Sequence, residues 1–261
     1  MLSGLRSSIF LLLLVLPRVN AQELIHITNG EWPPYLSQSL PGFGLASQIV
    51  KEAFEAENIK VKWLFAPWAR SYELAKNENQ WYASAVWSDA PDARQHFHFS
   101  DEVITTSNVF YYRKDHDFDW QSFYDLNGKV IGVTRNYNYG EEFYKAIAEQ
   151  DVVLSEVTSD EQNFSMLLKG RIDIFANDPL VGQEQIATLF NAAEQSQLVA
   201  HPKKFAERGL YLIISKNAPN GEKLLERFNK GLATLKKQGR LNALYQQLES
   251  GYYSAKSNPI K

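Results

Sequence analysis

The 261-residue sequence contains no cysteine. That absence excludes a thiol nucleophile, a thiolate metal site, disulfides and a lipid attached at a processed N-terminal cysteine. Long hydrophobic runs are missing too: Ile9 to Leu16 spans eight apolar residues, far short of the roughly 20 needed to cross a bilayer. With Arg6 before this run and Val19-Asn20-Ala21 after it, residues 1–21 read as a secretory signal peptide cleaved before Gln22. Positive charge is not in excess. Removing Arg6 and Arg18 leaves 25 basic against 30 acidic side chains, a net charge of −5 with His neutral, so nucleic acid is not an expected partner. A mature chain of this length fits one large domain or two of about 100 to 120 residues.

What is present alternates. Glu23 to Asn29 has the period of a strand, and Gly30 to Gly44 is rich in turn-forming Pro and Gly. Leu45, Ile49, Val50, Ala53 and Phe54 then mark one apolar helical face ending near Asn58. Lys60 to Phe65 reads as strand, Ala69 to Lys76 as helix and Trp81 to Trp87 as strand, so the chain to Trp87 is βαβαβ, the pattern of a largely parallel sheet covered by helices. Val103 to Tyr112 is extended and aromatic. A second α/β unit follows: strands at 129–133, 152–157 and 172–176, with helices at 141–148, about 161–168 and about 180–190. Gly209 to Ser215 is an extended apolar run, and Glu222 to Leu248 has one continuous helical pattern. The pattern predicts one lobe from residues 22–110 plus 210–261 and a second from 114–205. The two extended crossings, near Tyr111 and at 206–209, would form a two-strand hinge.

Several motifs in this order resemble the family 3 extracellular solute-binding proteins, which include periplasmic receptors for polar amino acids. They are Glu31-Trp32-Pro33-Pro34-Tyr35, Gly42-Phe43-Gly44-Leu45-Ala46, Pro67-Trp68-Ala69-Arg70, Pro91-Asp92-Ala93-Arg94 leading to Phe99-Ser100-Asp101, and Tyr111 to Asp115. Leu126 to Val133 and Gly170-Arg171-Ile172-Asp173 continue the series. The resemblance spans nearly all the mature chain and implies an α/β, two-lobed type II periplasmic binding protein fold that closes on a small polar ligand. It implies no cofactor or metal, a monomer in the periplasm, and a membrane permease or receptor encoded elsewhere. An amino acid or related amine or carboxylate, taken up through an ABC-type system, is the expected ligand.

Ligands of doubly wound sheets sit beyond the carboxyl ends of strands. Trp32 and Tyr35 follow the first strand, Trp68 the second, and Trp87 and Ser88 end the third. A single such Trp is better explained by core packing, but the shared placement of Trp32 and Trp87 after successive strand ends reverses that for these two. The resemblance lays Trp32 against the apolar part of a ligand and Ser88 against a carboxylate. It matches Asp178, in Asn177-Asp178-Pro179, to an aspartate that accepts from a ligand ammonium, and Arg135 to Tyr139, including Tyr137 and Asn138, to a segment lining the ligand. Asp directly before Pro is also a helix N-cap signature, and the two roles are compatible. The family arginine that grips an α-carboxylate falls at Ala93, with Arg94 next door. One residue turns a helical side chain by about 100°, so Arg94 reads either as a displaced ligand group or as a surface charge.

Two other functions share this fold. One is a sensory module for a membrane receptor. The other is a cyclohexadienyl or arogenate dehydratase-like enzyme with Glu141, Glu142 or Asp178 as acid. No residue set demands chemistry, so binding leads. Of the five histidines, His96 and His98 are expected to share a face of one extended segment, a pattern that more often marks surface polarity than metal binding.

Overall fold

The computed structural model describes residues 23–77, 80–135 and 137–254; the expected signal peptide and its cleavage site lie outside them, as does Asn136. The chain enters through strand β1 (Glu23–Asn29). Helix α1 (Leu45–Ala56) follows, and all five residues of the apolar stripe that predicts it are fully buried. Strand β2 (Ile59–Phe65), helix α2 (Trp68–Asn77) and strand β3 (Ala83–Ser88) complete the first βαβαβ unit. Pro91, free to start a helix because its missing N–H would be unbonded there anyway, opens the short helix α3 (Pro91–His96). His96 therefore ends a helix and only His98 lies in the following strand, so the expected shared face does not form.

Strand β4 (Phe97–Arg113) is long enough to belong to two sheets. The second unit comprises β5 (Val130–Thr134), α4 (Glu141–Ala148), β6 (Val153–Val157), α5 (Asp160–Leu168), β7 (Ile174–Asn177) and α6 (Pro179–Leu189). After a one-turn helix α7 (Ala192–Gln195) and a short strand β8 (Leu198–Ala200), strand β9 (Phe205–Ser215) runs back. Helices α8 (Gly221–Lys237) and α9 (Arg240–Glu249) close the first lobe. The single helix expected over Glu222 to Leu248 is thus two. Gly239 takes φ +71, a left-handed conformation open to Gly without the Cβ penalty, and this ends α8.

Strands run in the order β2-β1-β3-β9-β4-β7-β5-β6, with β8 beside β4. Within this path β1, β2 and β3 are parallel, as are β5, β6 and β7, and β4 and β9 enter antiparallel. Strand β4 pairs with β9 as far as Asn108 and with β7 from Val109 onward. Three register shifts, at Phe99/Glu102, Glu102/Ile104 and Thr106/Asn108, bend it between the sheets, since an extra residue kinks a ladder. Side chains alternate across a strand. Accordingly Phe110 joins a core cluster with Trp120, Phe143 and Phe205, and Tyr111 joins one with Phe164 and Phe175 on the opposite face. The first lobe's core gathers β1, α1, α8 and α9 around Phe54 and Phe228, whose rings lie 5.0 Å apart. Among the described residues no helix is long and apolar enough to cross a membrane.

Candidate functional site

The loop after β1 folds back on itself, with the Trp32 N–H donating to the Leu36 carbonyl at 2.7 Å and Leu36 N–H returning to Trp32 at 3.1 Å. This sets the Trp32 and Tyr35 rings 4.9 Å apart. It also aims the buried Tyr35 hydroxyl across to the other lobe, where it donates to both oxygens of Asp178 at 3.4 Å. Asp178 follows β7 and caps α6, its Oδ1 accepting from Leu180 N at 2.9 Å and Val181 N at 3.1 Å. The helix cap expected of Asp178 is present, and the same carboxylate meets Tyr35.

Asp178 is 3% exposed. Burial disfavours its charged form and raises its pKa to about 6, against the opposing pull of the two amide donors, the Arg208 charge and Tyr35. Burial and then the Asp178 charge hold the Tyr35 phenol far above its ordinary range, so it stays a donor. Beneath the loop after β5, Asp160 is buried and accepts from Thr134 Oγ1, from Tyr137 Oη at 3.2 Å and from Gln185 Nε2 at 2.9 Å. Burial raises its pKa and these donors restrain the rise. Gln185 accepts from Asn177 Nδ2 at 3.3 Å, and Asn177 Oδ1 accepts from Asp178 N at 2.8 Å. One polar chain thus ties the Tyr137 loop to the Asp178 cap. Buried groups satisfied in this way hold a single geometry.

Trp68 and Trp87 form a separate aromatic group: their rings meet edge to face at 5.3 Å, and Trp87 also meets Tyr72 at 5.2 Å. Trp87 Nε1 donates to Ser84 Oγ at 2.8 Å. Ser88 sits opposite Leu210 where β3 pairs with β9. Arg94 does not join the Asp178 cluster. It is 57% exposed, grips Asp89 through Nε and Nη2 at 2.6 Å each, and lies 4.9 Å over the Phe99 ring. Arg135 is likewise exposed and paired with Glu156 at 2.8 Å. Asn138 is exposed, its Oδ1 accepting from Gly140 N at 2.9 Å. Glu141 and Glu142 are exposed on the first turn of α4.

Sequence reasoning missed Arg208. It lies on β9 with its guanidinium facing Asp178, Tyr139, Tyr144 and Tyr137, and burial lowers its pKa while the Asp178 charge raises it. The available signal was a charged pair, Glu207-Arg208, inside the second crossing. A recess of about 760 Å³ at the crossing is lined by Tyr35, Thr106, Asp178, Leu180 and, from α9, Tyr245 and Leu248. Among the described residues no group of three His, Cys, Asp or Glu side chains is placed to hold a metal ion.

Facing lobes, parallel strand ends and a capped carboxylate between them are the features of a solute-binding protein. The chain belongs to the bacterial extracellular solute-binding proteins, family 3, which it matches over residues 24–248. It is 29% identical over 159 residues to the ABC transporter arginine-binding protein 1 of Escherichia coli (strain K12), a match covering 60% of this chain and 61% of that protein. Solved structures share the fold, two of them as follows. An ancestral arginine-binding protein bound to arginine superposes with TM-score 0.68 at 17% identity, covering 86% of this chain and 97% of that one. A histidine kinase sensor domain with similarity to periplasmic binding proteins does so with TM-score 0.69 at 18% identity, covering 87% and 96%.

Proposed function

We propose that this protein captures a free amino acid between its lobes and delivers it to an ABC-type permease. The observation that carries the reading is the buried Asp178 carboxylate, held at a helix N-terminus and met by Tyr35 from the opposite lobe. A buried carboxylate selects a cationic or donor group over a neutral one. Cleft closure is driven only by contacts made better in the closed form, so residues of both lobes must touch the ligand. The moving bodies are residues 22–110 with 210–261, and 114–205, flexing at the two crossings. Trp32, Trp68, Trp87 and Ser88 supply the first lobe's side, and Tyr137, Asn138 and Asp178 the second's.

A thermal-shift screen of the twenty amino acids, matched amines and small organic acids tests this. A ligand at 100 times its Kd adds about 2.7 kcal/mol, so at least one amino acid is expected to raise the melting temperature clearly. Stabilisation by organic acids or amines alone would refute the reading. The working protein is exported, with residues 1–21 removed. Intact-mass measurement of the periplasmic form is expected to place its N-terminus within a few residues of Gln22, and a soluble mature form retaining Met1 would refute export by cleavage.

A further inference from the structure

The crossing strands carry an unusual set of side chains on one face. In the antiparallel ladder Thr106 lies opposite Arg208, and Asn108 lies opposite Phe205. Directly opposed residues share a face, and Asn108, two residues beyond Thr106 on β4, shares it too. Between these pairs β9 holds one more residue than β4, with Ala206 at φ +50. Such a bulge re-aims the neighbouring side chain, here Arg208. On the adjoining strand Val109 is paired with Asn177, which brings Asp178 beside Asn108.

Eight buried side-chain polar atoms lack a hydrogen-bond partner among the described residues, and three belong to this face: Thr106 Oγ1, Asn108 Nδ2 and Arg208 Nε. A fourth, Trp32 Nε1, belongs to the loop that carries Tyr35. Thr106 and Asn108 are 3% and 2% exposed. Arg208 donates from Nη1 to the Ala206 carbonyl at 3.3 Å and makes no ion pair within 4 Å among the described residues. Leaving such groups unpaired is costly, so each calls for a partner. The unpaired nitrogens are all donors, and one belongs to a permanent cation. The complement is an acceptor-rich anionic group. Beside it stands Asp178, a carboxylate with the opposite requirement and out of ion-pairing reach of Arg208.

We propose that Arg208, with Asn108 and Thr106, receives the carboxylate of the ligand while Asp178 receives its ammonium, so that the crossing strands and the cap of α6 together read the zwitterionic head of an α-amino acid. The inference rests on the amino-acid reading above and specifies which arginine serves it: Arg208, rather than Arg94, whose planar fork Asp89 already fills. A guanidinium grips a carboxylate in two places where an ammonium offers a point charge. Because β4 and β9 are also the segments that must bend, the ligand carboxylate bonds to side chains carried by the strands on which closure turns.

The test compares amino acids with the same molecules lacking the carboxylate, by isothermal titration: L-arginine with agmatine, L-lysine with cadaverine, L-histidine with histamine. Wild type is expected to prefer the amino acid at least about 30-fold in the pair it binds best, as one lost charged hydrogen-bond pair implies. Arg208→Gln should bring that ratio close to one by weakening the amino acid and leaving the amine within threefold. Arg208→Lys, which keeps the charge and changes the packing less, should retain part of the preference. Arg94→Ala should leave the ratio as in wild type. If both Arg208 variants keep the wild-type ratio, or Arg94→Ala abolishes it, the assignment of the carboxylate is overturned and amino-acid binding stands. If wild type binds amines as tightly as amino acids, the zwitterion reading is overturned. If it binds no amino acid, the proposed function falls, and this inference with it.

Discussion

Asp178→Asn is expected to make the unliganded protein more stable above pH 7 and to remove most of its affinity for an amino acid. Asn is as good an N-cap as Asp, so the bonds to Leu180 and Val181 have a replacement acceptor. What disappears is the buried charge. Moving the carboxyl pKa from 3.8 to about 6 corresponds to roughly 3 kcal/mol at 1.36 kcal/mol per pKa unit. The Arg208 attraction that the substitution removes is smaller than the desolvation that it relieves. The sign follows from linkage: a folded-state pKa above the unfolded one means stability present below about pH 4 and lost as pH rises through 6. Wild type should therefore gain stability from this group between pH 8 and pH 4, and the variant should lack that gain. Amino-acid affinity runs the other way, falling in wild type as pH drops below 6. Thermal melts of both proteins across this range, with titrations at pH 8 and pH 5, check each limb. A variant less stable than wild type at pH 8 that still binds normally would show that Asp178 serves only as a cap.

Gly231→Ala should have the largest effect on folding. An Ala Cβ there would stand 1.9 Å from the Ala53 carbonyl oxygen of α1 and 2.8 Å from its carbon. Both atoms are backbone, so no rotamer change relieves the clash, and the two helices must separate. Ala normally helps a helix by about 1 kcal/mol over Gly. Overpacking a close contact costs about 1–3 kcal/mol or more, and separation would also loosen Phe54 and Phe228, both fully buried. A net loss of about 3 kcal/mol is expected, lowering the melting temperature by roughly 6–12 °C for a protein of this size. Denaturant unfolding measures it. Affinity of the folded protein should not change, because no residue of α8 lines the recess that holds Asp178. A loss within 0.5 kcal/mol would mean that the helices part without cost.

Where apolar residues repeat with a clear period, the sequence is a sufficient guide. Glu23–Asn29 and Glu141–Ala148 have the bounds that their patterns predict, and the α1 stripe faces the core along its whole length. The pattern misleads at Gly239, because Leu235, Leu241 and Leu244 keep a helical spacing on both sides of it and periodicity does not register a change of φ. Asp178 was legible since its two signals, a strand end and a following proline, are local. Arg208 was not. Its significance depends on facing Thr106 across a bulged ladder and on the orphaned donors around it, and pairing between distant segments leaves no mark in either one. The arginine that is conspicuous in its motif, Arg94, forms its strongest contact with a neighbour five residues away.

The sheet order has a consequence for how the molecule is made. In the first lobe β9 lies between β3 and β4, so a growing chain that has reached residue 200 holds β1, β2 and β3 on one side of an unfilled gap and β4 on the other. Every strand of the second lobe's sheet is already present by then. The later half of the molecule can therefore complete its pairing first, and the half that begins the chain waits for the last strand to be synthesised before its own sheet can close.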